Sequence, residues 1–172
     1  KRGHQWHLNS IYSRWEDEQL AEIMGSVVDI SDQKRRQQIN DAKLELIDYS
    51  ANHNVRELLQ QFLDTAEQLT ESKIGFFHFV EDDQETISLQ TWSTNTINTF
   101  CDTGVAESLH YPISVAGVWV DCIATRAPVI HNDYDNLPHK RGLPDGHAPI
   151  TRELVVPVLR QNHVVAILGV GN

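Results

Sequence analysis

Ile74-Gly75-Phe76-Phe77-His78-Phe79-Val80 is followed by Glu81-Asp82-Asp83-Gln84-Glu85 and then by Thr86-Ile87-Ser88-Leu89-Gln90-Thr91-Trp92. The first run is apolar and short, the length of a strand rather than of a helix. In the last, Ile87, Leu89 and Thr91 alternate with Ser88, Gln90 and Trp92, the period of two expected of a half-buried strand. The four carboxylates between them mark an exposed turn. Such clusters at hairpin tips are solvated punctuation, and no metal is assigned there.

Immediately upstream, Asn54 followed by Glu57 has the form of a capping box. Val55, Leu58, Leu59, Phe62, Leu63, Ala66 and Leu69 then recur at helical spacing, so one face of this helix must cover a core. Downstream, a helix is expected near residues 118–125 and a short strand over 128–131. A long loop rich in Pro and Gly separates these from two closing strands, 153–159 and 163–169, with Gln161-Asn162 as a tight turn between them. The order is a helix, two strands, helical and loop insertions, and two strands. It implies an α+β fold, an antiparallel sheet with helices and loops packed on its faces.

The first 50 residues have a different pattern. Residues 6–15 and 23–30 read as strands joined by the acidic stretch Glu16-Asp17-Glu18-Gln19. A lone hairpin is marginal in water, so this one needs a partner surface. From Ser31 or Asp32, either of which can cap a helix, residues 33–49 contain no Gly or Pro. Ile39, Ala42, Leu46 and Tyr49 follow 3-4-3 spacing, with Leu44 and Ile47 widening the stripe. Two readings fit: the seam of a two-heptad coiled coil, or a helix lying on its own domain. The helix is expected to break or restart across residues 50–54.

A net charge of −10 argues against a nucleic-acid partner, and Lys34-Arg35-Arg36 reads as a solvated helix face. No apolar stretch approaches the roughly 20 residues of a membrane helix, and no signal peptide opens the chain. The expectation is a cytoplasmic domain without direct membrane contact. Two cysteines, Cys101 and Cys122, are too few for a disulfide framework or a four-ligand zinc site.

Two resemblances follow from longer phrases. Met24-Gly25-Ser26-Val27-Val28-Asp29-Ile30-Ser31-Asp32-Gln33-Lys34, after a tryptophan-bearing strand, resembles the C-terminal end of a PAS domain. Further on stand Gly75-Phe76-Phe77-His78-Phe79, Trp92-Ser93-Thr94, Gly117-Val118-Trp119-Val120-Asp121-Cys122 and Arg126-Ala127-Pro128-Val129-Ile130-His131-Asn132-Asp133-Tyr134. With Thr151-Arg152-Glu153-Leu154-Val155-Val156-Pro157-Val158 and Val164-Val165-Ala166-Ile167-Leu168-Gly169, these resemble the GAF domains of bacterial sensor histidine kinases and diguanylate cyclases. The resemblance implies three segments: 1–32, an incomplete PAS end; 33–53, a helical signalling linker; and 54–172, a GAF domain lacking its final helix. It implies a non-catalytic sensory module of a signal-transduction protein, dimerising through residues 33–70 and controlling an output domain. No cysteine stands in a bilin-attachment phrase.

In such a fold a small ligand sits between the sheet and its covering loops. The candidate ligand-binding residues are Phe77, Phe79, Trp92, Trp119, Cys122, His131 and Tyr134, with Arg141, His147 and Arg152 from the long loop. Arg141 and Arg152 either receive an anionic ligand or pair internally with Asp133, Asp145 or Glu153, and internal pairing is the expectation. His131, Asp133, Asp135, His139 and His147 are metal-ligating residue types, but their spacing matches no established motif and no metal is assigned. No cofactor is assigned either. Two alternatives stand beside the sensor: a redox enzyme reducing methionine sulfoxide through Cys101 and Cys122, and a purely structural dimerisation module.

Overall fold

The computed structural model describes residues 5–100, 110–140 and 149–172, in two compact units, 1–45 and 46–172. In the first unit, β1 (His7–Glu16) and β2 (Gln19–Asp29) pair antiparallel; α1 (Ser31–Ser50) begins there and its last residues belong to the second unit. The turn is shorter than the acidic stretch suggested. Only Asp17 and Glu18 form it, both at positive φ (45° and 61°), the backbone that a two-residue hairpin with right-handed twist requires. Asp29 accepts from Ser31 N (2.9 Å), and Trp6 N donates to Ser31 Oγ (2.9 Å), so the strand hands directly to the helix. Both hairpin faces carry exposed apolar side chains. Leu8, Tyr12, Met24 and Val28 share one, and Ile11, Ile23 and Val27 the other.

The second unit holds a six-stranded antiparallel sheet. Its strands are β3 (Ile74–Val80), β4 (Thr86–Trp92), β5 (His110–Pro112), β6 (Val129–His131), β7 (Glu153–Arg160) and β8 (His163–Gly171), in the order β5-β4-β3-β8-β7-β6. The hairpin β7–β8 turns on Gln161 and Asn162, both at positive φ, as the sequence suggested. The strand β5 and the helix α3 (Thr94–Phe100) were not expected. The run Thr94-Asn95-Thr96-Ile97-Asn98-Thr99 is poor in helix formers. A distant contact and a local cap stabilise it: Asp64 accepts from Thr94 N and Oγ1 (both 2.7 Å), and Ser93 Oγ, just before the helix, accepts from Thr96 N (3.2 Å).

On one sheet face lies α2 (Val55–Thr70), opened by the expected capping box. Glu57 N donates to Asn54 Oδ1 (3.0 Å) and Asn54 N to Glu57 Oε2 (2.9 Å). Such a cap contributes about 1 kcal/mol. Leu59 and Leu63 of α2 pack on Phe77, Ala166 and Leu168. Beside them, buried Glu67 accepts from Ser93 Oγ, which also lies 2.7 Å from Thr96 Oγ1. Thr96 Oγ1 in turn accepts from Gly75 N (3.0 Å), and burial pushes the Glu67 carboxyl above its ordinary range.

The opposite face carries the larger core. Val80, Ile87, Val155, Val164 and Ile167 meet Ala116 and Cys122 from the segment that crosses over the sheet. That segment contains the 3-10 turn Val118–Val120 and the short helix α4 (Asp121–Thr125), where the sequence indicated one helix.

Candidate functional site

The register decides which aromatic residues share a face. Along β3, Phe76 and His78 lie on the α4 side, while Phe77 and Phe79 lie on the α2 side. A β-bulge then changes the phase of β4. Phe77 pairs with Thr91 but His78 with Leu89, so Gln90 is the extra residue. Simple alternation places Trp92 opposite to Ile87 and Leu89. The bulge returns it to their face, directly across from Phe76.

The result is a cluster of rings under the crossing segment. Phe76 meets Trp92, Trp119 and His78 edge-on, at centroid distances of 6.2, 5.4 and 5.5 Å, and His78 lies 4.8 Å from Trp119. Such offset and T-shaped contacts are favourable quadrupole arrangements. Burial holds the His78 imidazole at about 3, so it is neutral at physiological pH.

Of the candidates read from the sequence, Trp92, Trp119, Cys122, His131 and Tyr134 come to this side of the sheet. Tyr134 joins a small core with Ile74, Val118 and Ile150, and burial raises its hydroxyl pKa. Phe77 and Phe79 do not join them, being stacked edge-to-face with one another on the α2 side at 5.4 Å. Arg152 is exposed, and Arg141 and His147 lie outside the described residues, as does Cys101. Of the carboxylates expected to pair with Arg152, Asp145 lies outside the described residues and the other two have partners of their own. Asp133 accepts from Asn136 Nδ2 (2.8 Å), and Glu153 is held by His131.

That last contact belongs to a second group at the β6 edge of the same face. His131 on β6 stands across from Glu153 on β7, and its Nδ1 lies 2.8 Å from Glu153 Oε1. Its Nε2 lies 3.7 Å from Asp121 Oδ2 at the start of α4, and His139 Nε2 lies 2.7 Å from that same oxygen. Glu153 is buried, and desolvation raises its carboxyl pKa, with the Asp121 charge adding to the rise and His131 opposing it. Asp133 and Asp135, offered by the sequence as companions of these histidines, point elsewhere: Asp135 lies 3.3 Å from Lys140 Nζ. Asp121, Phe76 and His78 were missed as site residues. The available signal was His131 and Glu153 standing two residues from Val129 and Val155, polar groups in phase with residues that pack on the core.

Cys122 is fully buried, its Sγ 3.6 Å from the Trp119 carbonyl, and burial pushes the thiol up to about 12. A thiol so held is not a nucleophile at neutral pH. In the native protein Cys122 is therefore expected to resist iodoacetamide, alkylating only after denaturation. Peptide mass spectrometry reads this directly, and rapid native labelling of Cys122 would contradict the burial.

A six-stranded antiparallel sheet with α2 on one face and a crossing segment over the other, closing on a ring cluster, defines an α+β fold. Residues 52–172 match the family model of the GAF domain, and the chain belongs to that family. It is 30% identical over 151 residues to the methyl sulfide methyltransferase-associated sensor of Methanosarcina acetivorans. That match covers 84% of this chain but 15% of the sensor, so the chain corresponds to a small part of that relative. Among solved structures, the GAF domain of a phosphoenolpyruvate-protein phosphotransferase from Coxiella burnetii superposes with a TM-score of 0.64 at 12% identity, over 83% of this chain and 79% of that one. Free methionine-R-sulfoxide reductase from Neisseria meningitidis, in complex with its substrate, superposes with a TM-score of 0.57 at 14% identity, over 80% and 72%. These two likenesses concern the fold.

Proposed function

We propose that the chain is a non-catalytic input module of a cytoplasmic signal-transduction protein of the sensor histidine kinase or diguanylate cyclase kind. In this reading residues 1–32 are the end of a PAS domain, 33–53 a signalling linker and 54–172 the GAF domain, which takes a small ligand against the Phe76–Trp92–Trp119 rings. The observation that carries it is the extent of the likeness to the sensor. At 84% of the chain it reaches beyond the GAF match at 52–172 and into the preceding helix. The composite of helix and GAF domain is thus what the two proteins have in common. The exposed apolar positions Ile39, Leu44 and Ile47 on α1 support a dimer seam there, and the apolar faces of the β1–β2 hairpin support a packing partner for that hairpin.

Signalling through such a module requires that the ligand bind two packings of the flanking helices unequally. Native mass spectrometry of the purified chain tests both parts of the proposal. A dimer is expected, with a noncovalent adduct that is lost on denaturation, and Ile39→Asp with Leu46→Asp is expected to give a monomer that keeps its circular dichroism. A monomeric wild type would sink the dimer. Turnover of free methionine sulfoxide, abolished by Cys101→Ser, would replace the sensor with the redox enzyme.

A further inference from the structure

Asp121, His131 and His139 come from α4, β6 and the segment after the 3-10 turn Tyr134–Asn136, yet each directs one ligand atom to a common point. We propose that Asp121 Oδ2, His131 Nε2 and His139 Nε2 together bind one divalent transition-metal ion of the zinc class. The three atoms lie within 4.8 Å of one another. Donors bonded at about 2.0–2.2 Å to a tetrahedral ion stand roughly 3.4 Å apart. The separations of 2.7 and 3.7 Å from Asp121 Oδ2 bracket that value, and the two imidazole nitrogens lie within 4.8 Å of one another, so side-chain movements on the order of an ångström, with the His139–Asp121 hydrogen bond giving way, bring the three onto one ion.

A further observation concerns how His131 is held. Its Nδ1 donates to Glu153, which is only 6% exposed, and this leaves the Nε2 lone pair directed at the cluster. A carboxylate behind one ring nitrogen is how metal-binding histidines are commonly oriented, the tautomer being set by the bond on the far side. Charge points the same way. Asp121 and Glu153 bring two carboxylates to one partly buried edge, against His131 and His139. A dication offsets their charge. Two imidazoles and one carboxylate suit zinc and its borderline neighbours, whereas calcium and magnesium prefer all-oxygen sets. Three protein ligands leave a coordination position open to water or to a small ligand.

The proposal is independent of the sensory reading, since it uses only these side chains. Its test is a titration of the EDTA-stripped 172-residue chain with Zn²⁺ against a chelating dye, repeated with Co²⁺ for its visible absorption. One ion per chain is expected. His139→Ala and Asp121→Asn should each weaken binding at least about 10-fold, the scale on which even orienting partners act. They should also abolish the tetrahedral Co²⁺ bands, while His163→Ala at the exposed start of β8 changes neither. The His139 side chain is 55% exposed, so its removal leaves the fold intact, which circular dichroism verifies. Absence of stoichiometric binding at micromolar Zn²⁺, or an affinity indifferent to both ligand substitutions, would overturn the site.

Discussion

Alanine at position 169 is expected to destabilise the GAF domain by about 1–3 kcal/mol, the range of overpacked cores, and to drive Phe76 out of its place. Gly169 is in β8, directly across from Phe76. The Phe76 ring packs against Gly169, and a Cβ built there overlaps the ring edge at Cζ and Cε1. The requirement is for space rather than for an unusual backbone, because φ at this position is not in the left-handed region. The ring cannot retreat easily, being bounded by Trp92, Trp119 and His78. Urea unfolding followed by tryptophan fluorescence reads both consequences. The midpoint falls, and the native emission changes because Trp92 and Trp119 lose their neighbour. Gly25→Ala is the comparison, since its Cβ would meet nothing nearer than the Ser10 carbonyl at 4.0 Å. Equal midpoints for wild type and Gly169→Ala would mean that the ring does not occupy this position in solution.

Acidification from pH 7 to pH 4 is expected to remove stability on the order of 3 kcal/mol through His78 alone. The imidazole is buried between Phe76 and Trp119, and desolvation lowers it from 6.5 to about 3. Between those values the unfolded chain binds a proton at this residue and the folded chain does not. Stability is therefore fully present above about pH 6.5 and is lost progressively as pH falls toward 3. Glu67 and Glu153 act in the opposite sense. Their carboxyls are raised by burial, so their contribution is greatest at low pH and falls as pH rises through their folded values. The His78 term is isolated by comparison with His78→Leu, a side chain of similar volume that carries no proton. The difference in unfolding free energy between the two proteins should change steeply between pH 7 and 4. Parallel curves would show that His78 is solvated.

Much of the architecture was legible in local patterns. The helical spacing from Val55 to Leu69, the Asn54–Glu57 box and the Gln161-Asn162 turn are short-range signals. Hydrogen bonds and backbone dihedrals within a few residues satisfy them, and all three appear in the structure. The helix over residues 33–49 is likewise a matter of composition, and it runs as α1 from Ser31 to Ser50. The elements that escaped notice, α3 and β5, are short and have weak propensity. The first is held by Asp64 and Ser93, and the second by pairing of three residues with β4.

The candidate site divides along the same line. Residue types were readable: aromatic side chains on strands, histidines around a Pro/Gly-rich loop, a cysteine on a short helix. Their assembly was not, because facing depends on register. One bulged residue, Gln90, brings Trp92 to the Phe76 side, and β3's strict alternation leaves Phe77 and Phe79 behind on the other. The partnership of His131 with Asp121, Glu153 and His139 joins four segments whose separation in sequence carries no periodicity. The sequence alone thus determined α1, α2 and the Gln161-Asn162 turn of this protein, since each rests on interactions between near neighbours. Only the tertiary structure decided which side chains meet, because antiparallel pairing and a single bulge set that over distances no local pattern encodes.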